Sequence, residues 1–524
     1  MSLVTPQFLD KAPTPASFEQ ERLNRRFDVY IKDGDLYQSE AGTGADGKQT
    51  FRAAHKIEWI IGAGVNGFGT ILQEDNHLFQ GPLSFYIRPK SWAPSPGYEF
   101  TDLGFNRPIA PGCIFCHSGR PNPVTASNGQ FNDPPFSELA IGCENCHGPG
   151  AAHVKAESTL TAKPMKASPT ATSGIVNPAR LTPYLADNIC MACHQTGDAR
   201  VLKPGKTYQD IRPGRPLDET LSIMMVPPKR EAPPSADHVE HYYSMTLSRC
   251  YRDSKGKLSC ITCHDPHVEP TREEAPKYFA AKCLSCHTNQ SCKMPIATRM
   301  QKSPPNDCTG CHMPKRDIQV ISHSSATNHR IVATPDEAFP DTAFQQTTAT
   351  LPDLIHLNPA PGQESVAPPL LTLLAAYGEL AANNPEYVAP YLKVLDQLER
   401  THPDDTLVQS ALGRREIKNG NYQAAVTHLR RALDVGTPAA TTYEDLADAL
   451  AHLGQTEETL PLIEKAIDLD PFNPATRKME VVRLIQLKQY AKAHEALDRY
   501  VEIFPQDDFM RQMLARAEGN GSSH

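Results

Sequence analysis

Twelve of the 14 cysteines in this 524-residue chain stand in pairs separated by two residues, and a histidine directly follows every pair. The six groups are Cys113/Cys116/His117, Cys143/Cys146/His147, Cys190/Cys193/His194, Cys260/Cys263/His264, Cys283/Cys286/His287 and Cys308/Cys311/His312. Two thiols at this spacing can each add to a vinyl group of the same porphyrin, and the next residue then lies beneath the iron. The pattern therefore reads as six c-type haem attachment sites, with the six histidines as proximal iron ligands. Zinc knuckles and redox dithiols also use such cysteine pairs. Neither requires a histidine immediately after all six. Covalent haem attachment takes place outside the cytoplasm, so the expected location is the periplasm or the cell surface. The opening MSLVTPQFLDKAPTPASFEQ lacks the charged start and apolar run of a secretory leader, and the leader is read as already removed.

A haem iron with one protein ligand is a reactive centre, whereas one with two is an electron carrier, so the remaining histidines matter. Between residues 1 and 330 these are His55, His77, His153, His238, His241, His267, His323 and His329. His267 lies three residues beyond His264, across the stiff Pro266. It is poorly placed to reach the far face of its own porphyrin and is expected to serve a neighbouring haem. The same holds for His153, which follows Gly148-Pro149-Gly150. His323 and His329 follow the sixth motif, His241 precedes Cys250, and His55 opens the run HKIEWIIGAG. His55, His153, His241, His267, His323 and His329 thus form the expected distal set, each with a surface or hydrogen-bonding role as the alternative. His77 and His238 are read as solvated. Cys250 and Cys292 remain, and in an oxidising compartment a disulfide between them is expected, with free thiols as the alternative.

The elements that must position these residues follow from a shift in composition. All the cysteines lie between Cys113 and Cys311, and the stretch from Pro361 to Gly521 has none and is rich in Ala, Leu, Glu and Lys. Residues 1–112 contain FDVYIK and DLYQSE about an Asp33-Gly34 turn, a hairpin signature, and HKIEWII and PLSFYI read as further strands. This segment is expected to form a β-containing lid on the first haems. Residues 113–335 are expected to be a loop-rich, mainly α hexahaem core, with short helices near 181–195, 237–251 and 274–287 and porphyrins filling much of the interior. Residues 336–365 read as a linker. Over 366–520 a period of 34 emerges: Pro403, Pro471 and Pro505 share one register (Thr437 fills the open slot), and Gly420 and Gly454 share another. Ala425 and Ala493, and Ala432 and Ala466, continue the pattern. This is tetratricopeptide spacing, with units at 406–439, 440–473 and 474–507 and a degenerate one at 368–405. Such an all-α solenoid serves as a protein docking surface or as a means of self-association.

The wording around the motifs is also familiar. GCENCHGPGAAH (142–153), NICMACHQTGDARV (188–201), LSCITCHDPH (258–267) and DCTGCHMPK (307–315) resemble multihaem cytochromes of the cytochrome c-prime and tetrahaem electron-carrier group. That group is structurally akin to hydroxylamine oxidoreductase and pentahaem nitrite reductase, and its larger members carry tetratricopeptide repeats. HKIEWIIGAGVNG, PLSFY, IVNP and Arg212-Pro213-Gly214 extend the resemblance over roughly residues 20–335. It implies a chain of packed haems without naming a substrate. In related carriers a histidine tends to follow the glycine-rich strand end, whereas Gly64-Val65-Asn66-Gly67 offers none here.

Three functions fit these features. The first is electron transfer through six haems, with the repeats holding a redox partner. The second is a multihaem oxidoreductase acting on a small nitrogen or sulfur compound at one open haem. The third is a structural subunit of a larger cytochrome assembly. A net charge of −8 without a long Lys/Arg cluster argues against nucleic acid as a partner. No run is apolar enough to span a bilayer, and no glycine-rich nucleotide loop or nucleophile elbow is present.

Overall fold

The computed structural model describes the chain except for residues 45, 63, 126, 159–173, 232–239, 316–326, 335, 345–352, 365, 437 and 522–524, and the side chains of 517–521. It forms two compact units, residues 1–141 with 389–524 and residues 142–388.

In the first unit, strands Ala16–Gln20, Arg25–Lys32, Asp35–Thr43 and Gln49–Lys56 form an antiparallel meander in chain order. The expected hairpin is present, with Lys32 opposite Asp35. Asp33 and Gly34 both take positive φ, 53° and 86°. That is the turn whose twist matches paired strands, and glycine tolerates it because it has no Cβ. A second sheet holds Trp59–Ile61, Gly67–Glu74, His77–Gln80 and Arg107–Pro108 in that order, with Leu83–Tyr86 and Ser91–Pro94 attached through Gly67–Phe68. The sheets share a core of Phe27, Val29, Leu36, Ile57, Leu72, Phe79, Phe85 and Trp92.

The helical part of the same unit carries the 34-residue period directly. First helices begin at Thr406, Ala440 and Pro474, and the final helix at Asp508. Gly420 and Gly454 close two of them at φ 76° and 79°, the left-handed helix ending that glycine adopts without strain. Ala425, Ala432, Ala447, Ala449 and Ala466 are buried where paired helices approach, small side chains at close crossings as the repeat requires.

This array is not detached from the strands. Phe472 packs against the strand core, with its ring edge-on to Phe79 at 4.7 Å. Arg25 donates to Asp102 (2.9 Å) and to the carbonyl of Gln506 (3.0 Å), and Asn106 donates to the carbonyl of Ile503 (2.8 Å). The expectation of an amino-terminal lid belonging to the haem core is therefore corrected, because residues 1–141, first motif included, form one unit with the array.

Glu40 sits beside Arg25 in this seam, 3.3 Å from its Nε and 1% exposed. Burial, and then the nearby Asp102, hold its carboxyl well above the ordinary value of 4.5. The folded state thus binds this proton more tightly than the unfolded chain does. The stability it contributes is complete below pH 4.5 and falls as pH rises toward the folded value. Glu40→Gln keeps the shape without the charge and is expected to flatten that decline and raise stability near neutrality. Denaturant titrations of both proteins across about pH 4 to 8 measure this, and an identical pH slope would refute it.

The second unit has short elements. The expected helices occur at Pro183–His194, at His241–Thr246 with Arg249–Asp253, and at Ala275–Leu284. A three-stranded sheet of Ala199–Leu202, Leu221–Met225 and Ile355–His356 was not foreseen. Its third strand corrects the reading of 336–365 as a linker. Asn358, 1% exposed, donates to the carbonyl of Leu221 (2.8 Å) and accepts from the amide of Ile223 (2.9 Å). Helix Leu370–Ala381, read as half of a degenerate repeat, packs on Ala199–Leu202 in this unit.

Candidate functional site

Each of the six cysteine pairs lies on a helical turn. Pro111–His117, Cys143–His147, Pro183–His194, Cys260–Cys263 and Cys308–His312 carry five of them. The remaining pair closes helix Ala275–Leu284, where the amides of Cys286 and His287 bond back to the carbonyl of Cys283 at 3.2 and 3.0 Å. Residues three apart in a helical turn share a face, so both thiols of each pair point to the same side. Local capping sets several of these turns. Thr182 caps Pro183–His194, and Asp307 caps Cys308–His312 by accepting from the amide of Gly310. Among the twelve paired cysteines, Cys113, Cys143, Cys286 and Cys311 are exposed, and Cys116, Cys146, Cys190, Cys193, Cys260, Cys263, Cys283 and Cys308 are half-buried.

The expectation that all six groups share one core over 113–335 is corrected at the first of them. Cys113, Cys116 and His117 stand in the first unit, and the other five groups stand in the second. The physical reason is Ile114, which lies between the two cysteines and is wholly buried among Trp59, Ile71 and Phe131 of the strand unit. That anchor ties the turn bearing Cys113 and Cys116 to the sheet.

Within the second unit the motifs converge. The amide of Cys260 donates to Asp187 on the helix of Cys190 (2.8 Å), and the Cys190 and Cys260 thiols interact directly. Asp187 thus joins the turn of Cys260 to helix Pro183–His194, bringing the third and fourth groups together. The rings of His194 and His241 stand 5.3 Å apart, those of His241 and His329 4.7 Å, and those of His264 and His329 6.3 Å. His267, expected to serve a haem other than its own, stacks on His147 of the second motif at 6.0 Å.

Burial favours the neutral form of several of these imidazoles. Desolvation by the surrounding chain lowers the pKa of His194, His264 and His329, and desolvation with the nearby His329 takes His241 down to about 3. His147 Nδ1 lies 2.7 Å from the carbonyl of Val176, and His312 Nδ1 lies 2.6 Å from that of Val332. A proton on Nδ1 donated to a carbonyl leaves the Nε2 lone pair outward, as in metal-ligating histidines.

Not every expected residue falls in this cluster. His55 lies in the first unit, its Nδ1 3.2 Å from Glu74 and its ring 4.4 Å from Phe105. His153 is half-buried on Ala151–Ser158, and its Nδ1 has no hydrogen-bond partner among the described residues. His238 and His323 lie outside the described residues. His77, read as solvated, is 6% exposed because Phe472 and Phe79 cover it. Sequence reasoning also missed His356, which is 7% exposed with its Nε2 3.0 Å from Asp218. Its apolar setting, Leu354-Ile355-His356-Leu357, was the available signal.

The expected Cys250–Cys292 disulfide is also corrected, since both are free thiols. Cys250 faces Cys286 and Cys263, whereas Cys292 faces Cys308, so each neighbours an attachment thiol of a different group.

One property of the second unit bears on what these groups hold. From Cys260 to Lys315, across three motifs, only Ala280 and Arg299 are buried. A chain ordered at about 1–2 kcal/mol of backbone entropy per residue cannot offset that cost with two buried side chains. The residues present fit the group: each turn offers two thiols and a following imidazole, the donor set of a covalent porphyrin, and the stretch from Cys260 to Lys315 buries little of its own side-chain surface. Among the described residues, no cluster of three or more His, Cys, Asp or Glu could hold a bare metal ion, and no helix is long and apolar enough to cross a membrane.

Residues 410–474 match the tetratricopeptide repeat family. The carboxy-terminal part of the chain is accordingly an all-helical tetratricopeptide solenoid. Similar solved structures include MamA from Desulfovibrio magneticus RS-1, at 19% identity over 29% of this chain and 86% of that one, with a TM-score of 0.25. YrrB, described as a tetratricopeptide protein with an unusual peptide-binding site, is 15% identical over 30% of this chain and 79% of its own, with a TM-score of 0.26. The Arabidopsis OM64 repeat domain is 20% identical over 21% and 93%, with a TM-score of 0.20. No curated protein matches the chain.

Proposed function

We propose that this chain is an exported multihaem c-type cytochrome of the periplasm or cell surface that moves electrons through six covalently bound haems, with its tetratricopeptide array docking a redox partner protein. The observation that carries this reading is the conjunction of six Cys-x-x-Cys-His turns with the scarcity of buried side chains from Cys260 to Lys315. When bound, c-type haem supplies a one-electron couple whose potential depends on axial ligation, burial and nearby charge.

The chain's own residues do the rest. Each helical turn presents two thiols to one side, and the carbonyls of Val176 and Val332 orient His147 and His312. Desolvation keeps His194, His241, His264 and His329 in the neutral form that ligates. The array supports docking through the general use of such repeats as protein-binding surfaces. Bis-imidazole ligation without methionine predicts low-potential, low-spin haems. The reduced holoprotein is therefore expected to keep its absorption spectrum under carbon monoxide. A carbon-monoxide-binding, high-spin haem accompanied by turnover of nitrite or hydroxylamine would replace the carrier with the oxidoreductase.

A further inference from the structure

A cavity of about 350 Å3 lies in the first unit, between the strands and the helical array. His55, Glu74, His77 and Phe105 line one side, and Phe472 and Glu502 line the other. Nothing in the electron-transfer reading uses it beyond the candidate ligand His55.

Nδ1 of His77, a wall residue that is 6% exposed, lacks a hydrogen-bond partner among the described residues. Asp470, behind the wall residues Pro471 and Phe472, is held by Asn128 at 3.1 Å and by the Phe472 backbone. Burial lowers the pKa of His77, so its ring is neutral and Nδ1 is able to accept. A buried acceptor left without a donor costs about 1–3 kcal/mol, and a ligand that brings N–H donors removes that cost.

The charge of the walls selects the ligand's sign. Glu74, Asp75 and Glu502 bring carboxylates to the cavity. Arg477, the guanidinium in the wall, is engaged with the carbonyl of Pro471 at 2.9 Å. Phe105 and Phe472 add aromatic rings, which attract cations. The volume lies at the lower end of small-molecule sites, too small for a nucleotide among carboxylates.

We propose that this cavity binds a small organic cation carrying a primary ammonium or guanidinium group, which donates to His77 and is surrounded by Glu74, Asp75 and Glu502.

Isothermal titration calorimetry of the full-length holoprotein with putrescine and agmatine, and with succinate as the opposite-charge probe, tests it. One amine bound per chain and no heat from succinate are expected. Asp75→Asn combined with Glu502→Gln, both at exposed positions, should weaken the amine at least tenfold, and His77→Leu should abolish its binding. Failure of both amines to bind, succinate binding equally well, or unchanged affinity in the Asp75/Glu502 double variant would each overturn the site. The double variant keeps the test decisive if His77→Leu does not fold.

Discussion

Matured in an oxidising compartment that attaches haem, the chain is expected to gain the mass of six porphyrins, and the Cys260→Ala/Cys263→Ala variant should gain five. The larger effect of that variant is structural. From Cys260 to Lys315 only Ala280 and Arg299 are buried, so each missing prosthetic group removes a substantial share of the local apolar interior. Burial contributes roughly 25 cal/mol per Å2, and ordering the backbone opposes it at about 1–2 kcal/mol per residue. Limited proteolysis should therefore cut the variant within this stretch while leaving the strands of residues 16–94 intact. Intact-mass spectrometry reads the stoichiometry and peptide mapping reads the cuts. A wild-type chain that holds zinc in place of porphyrin, or a variant that still carries six haems, would end the cytochrome reading.

Deleting the array is the second change with a large expected effect. Because Phe472 rests on Phe79 at 4.7 Å and Arg25 reaches the carbonyl of Gln506, a chain ending at Val388 uncovers one side of the strand core and removes one of the acceptors of the Arg25 guanidinium. Phe472→Ala alone should cost about 3 kcal/mol, the low end for a phenylalanine truncation because the ring is only partly buried. The truncated chain should lose amide-exchange protection across Gly67–Gln80 and at the first motif, whereas Leu221–Met225 in the other unit keeps its own. Hydrogen exchange followed by mass spectrometry distinguishes the outcomes. Unchanged protection at Gly67–Gln80 would mean that the array is an independent appendage, as its sequence period alone suggests.

What the sequence revealed was local, and what it hid was distant in the chain. The Asp33-Gly34 hairpin and the solenoid were legible because a two-residue turn and a 34-residue period are written in neighbouring residues. The six Cys-x-x-Cys-His groups stood out as a pattern for the same reason. Their grouping was not legible: Cys113 and Cys116 side with the strands because of Ile114, and Asp187 brings the turn of Cys260 to the helix of Cys190. The seam was hidden too, because Phe472 covers His77 from near the other end of the chain and no periodicity links them. Likewise, strand Ile355–His356 is too short to announce itself and exists only because Leu221–Met225 accepts it as an edge. The Cys250–Cys292 expectation rested on two leftover thiols in one region, yet each lies beside a different motif.

The sparse interior from Cys260 to Lys315 also bears on how the protein is supplied. On the cytochrome reading, this stretch cannot fold ahead of its cargo, so an unladen chain is open to any protease it meets after export. Quality control then needs no dedicated inspector, because failure to receive porphyrin is itself the degradation signal. Under iron starvation the cell would hold fewer copies of the protein, each fully loaded, rather than a standing pool of empty ones.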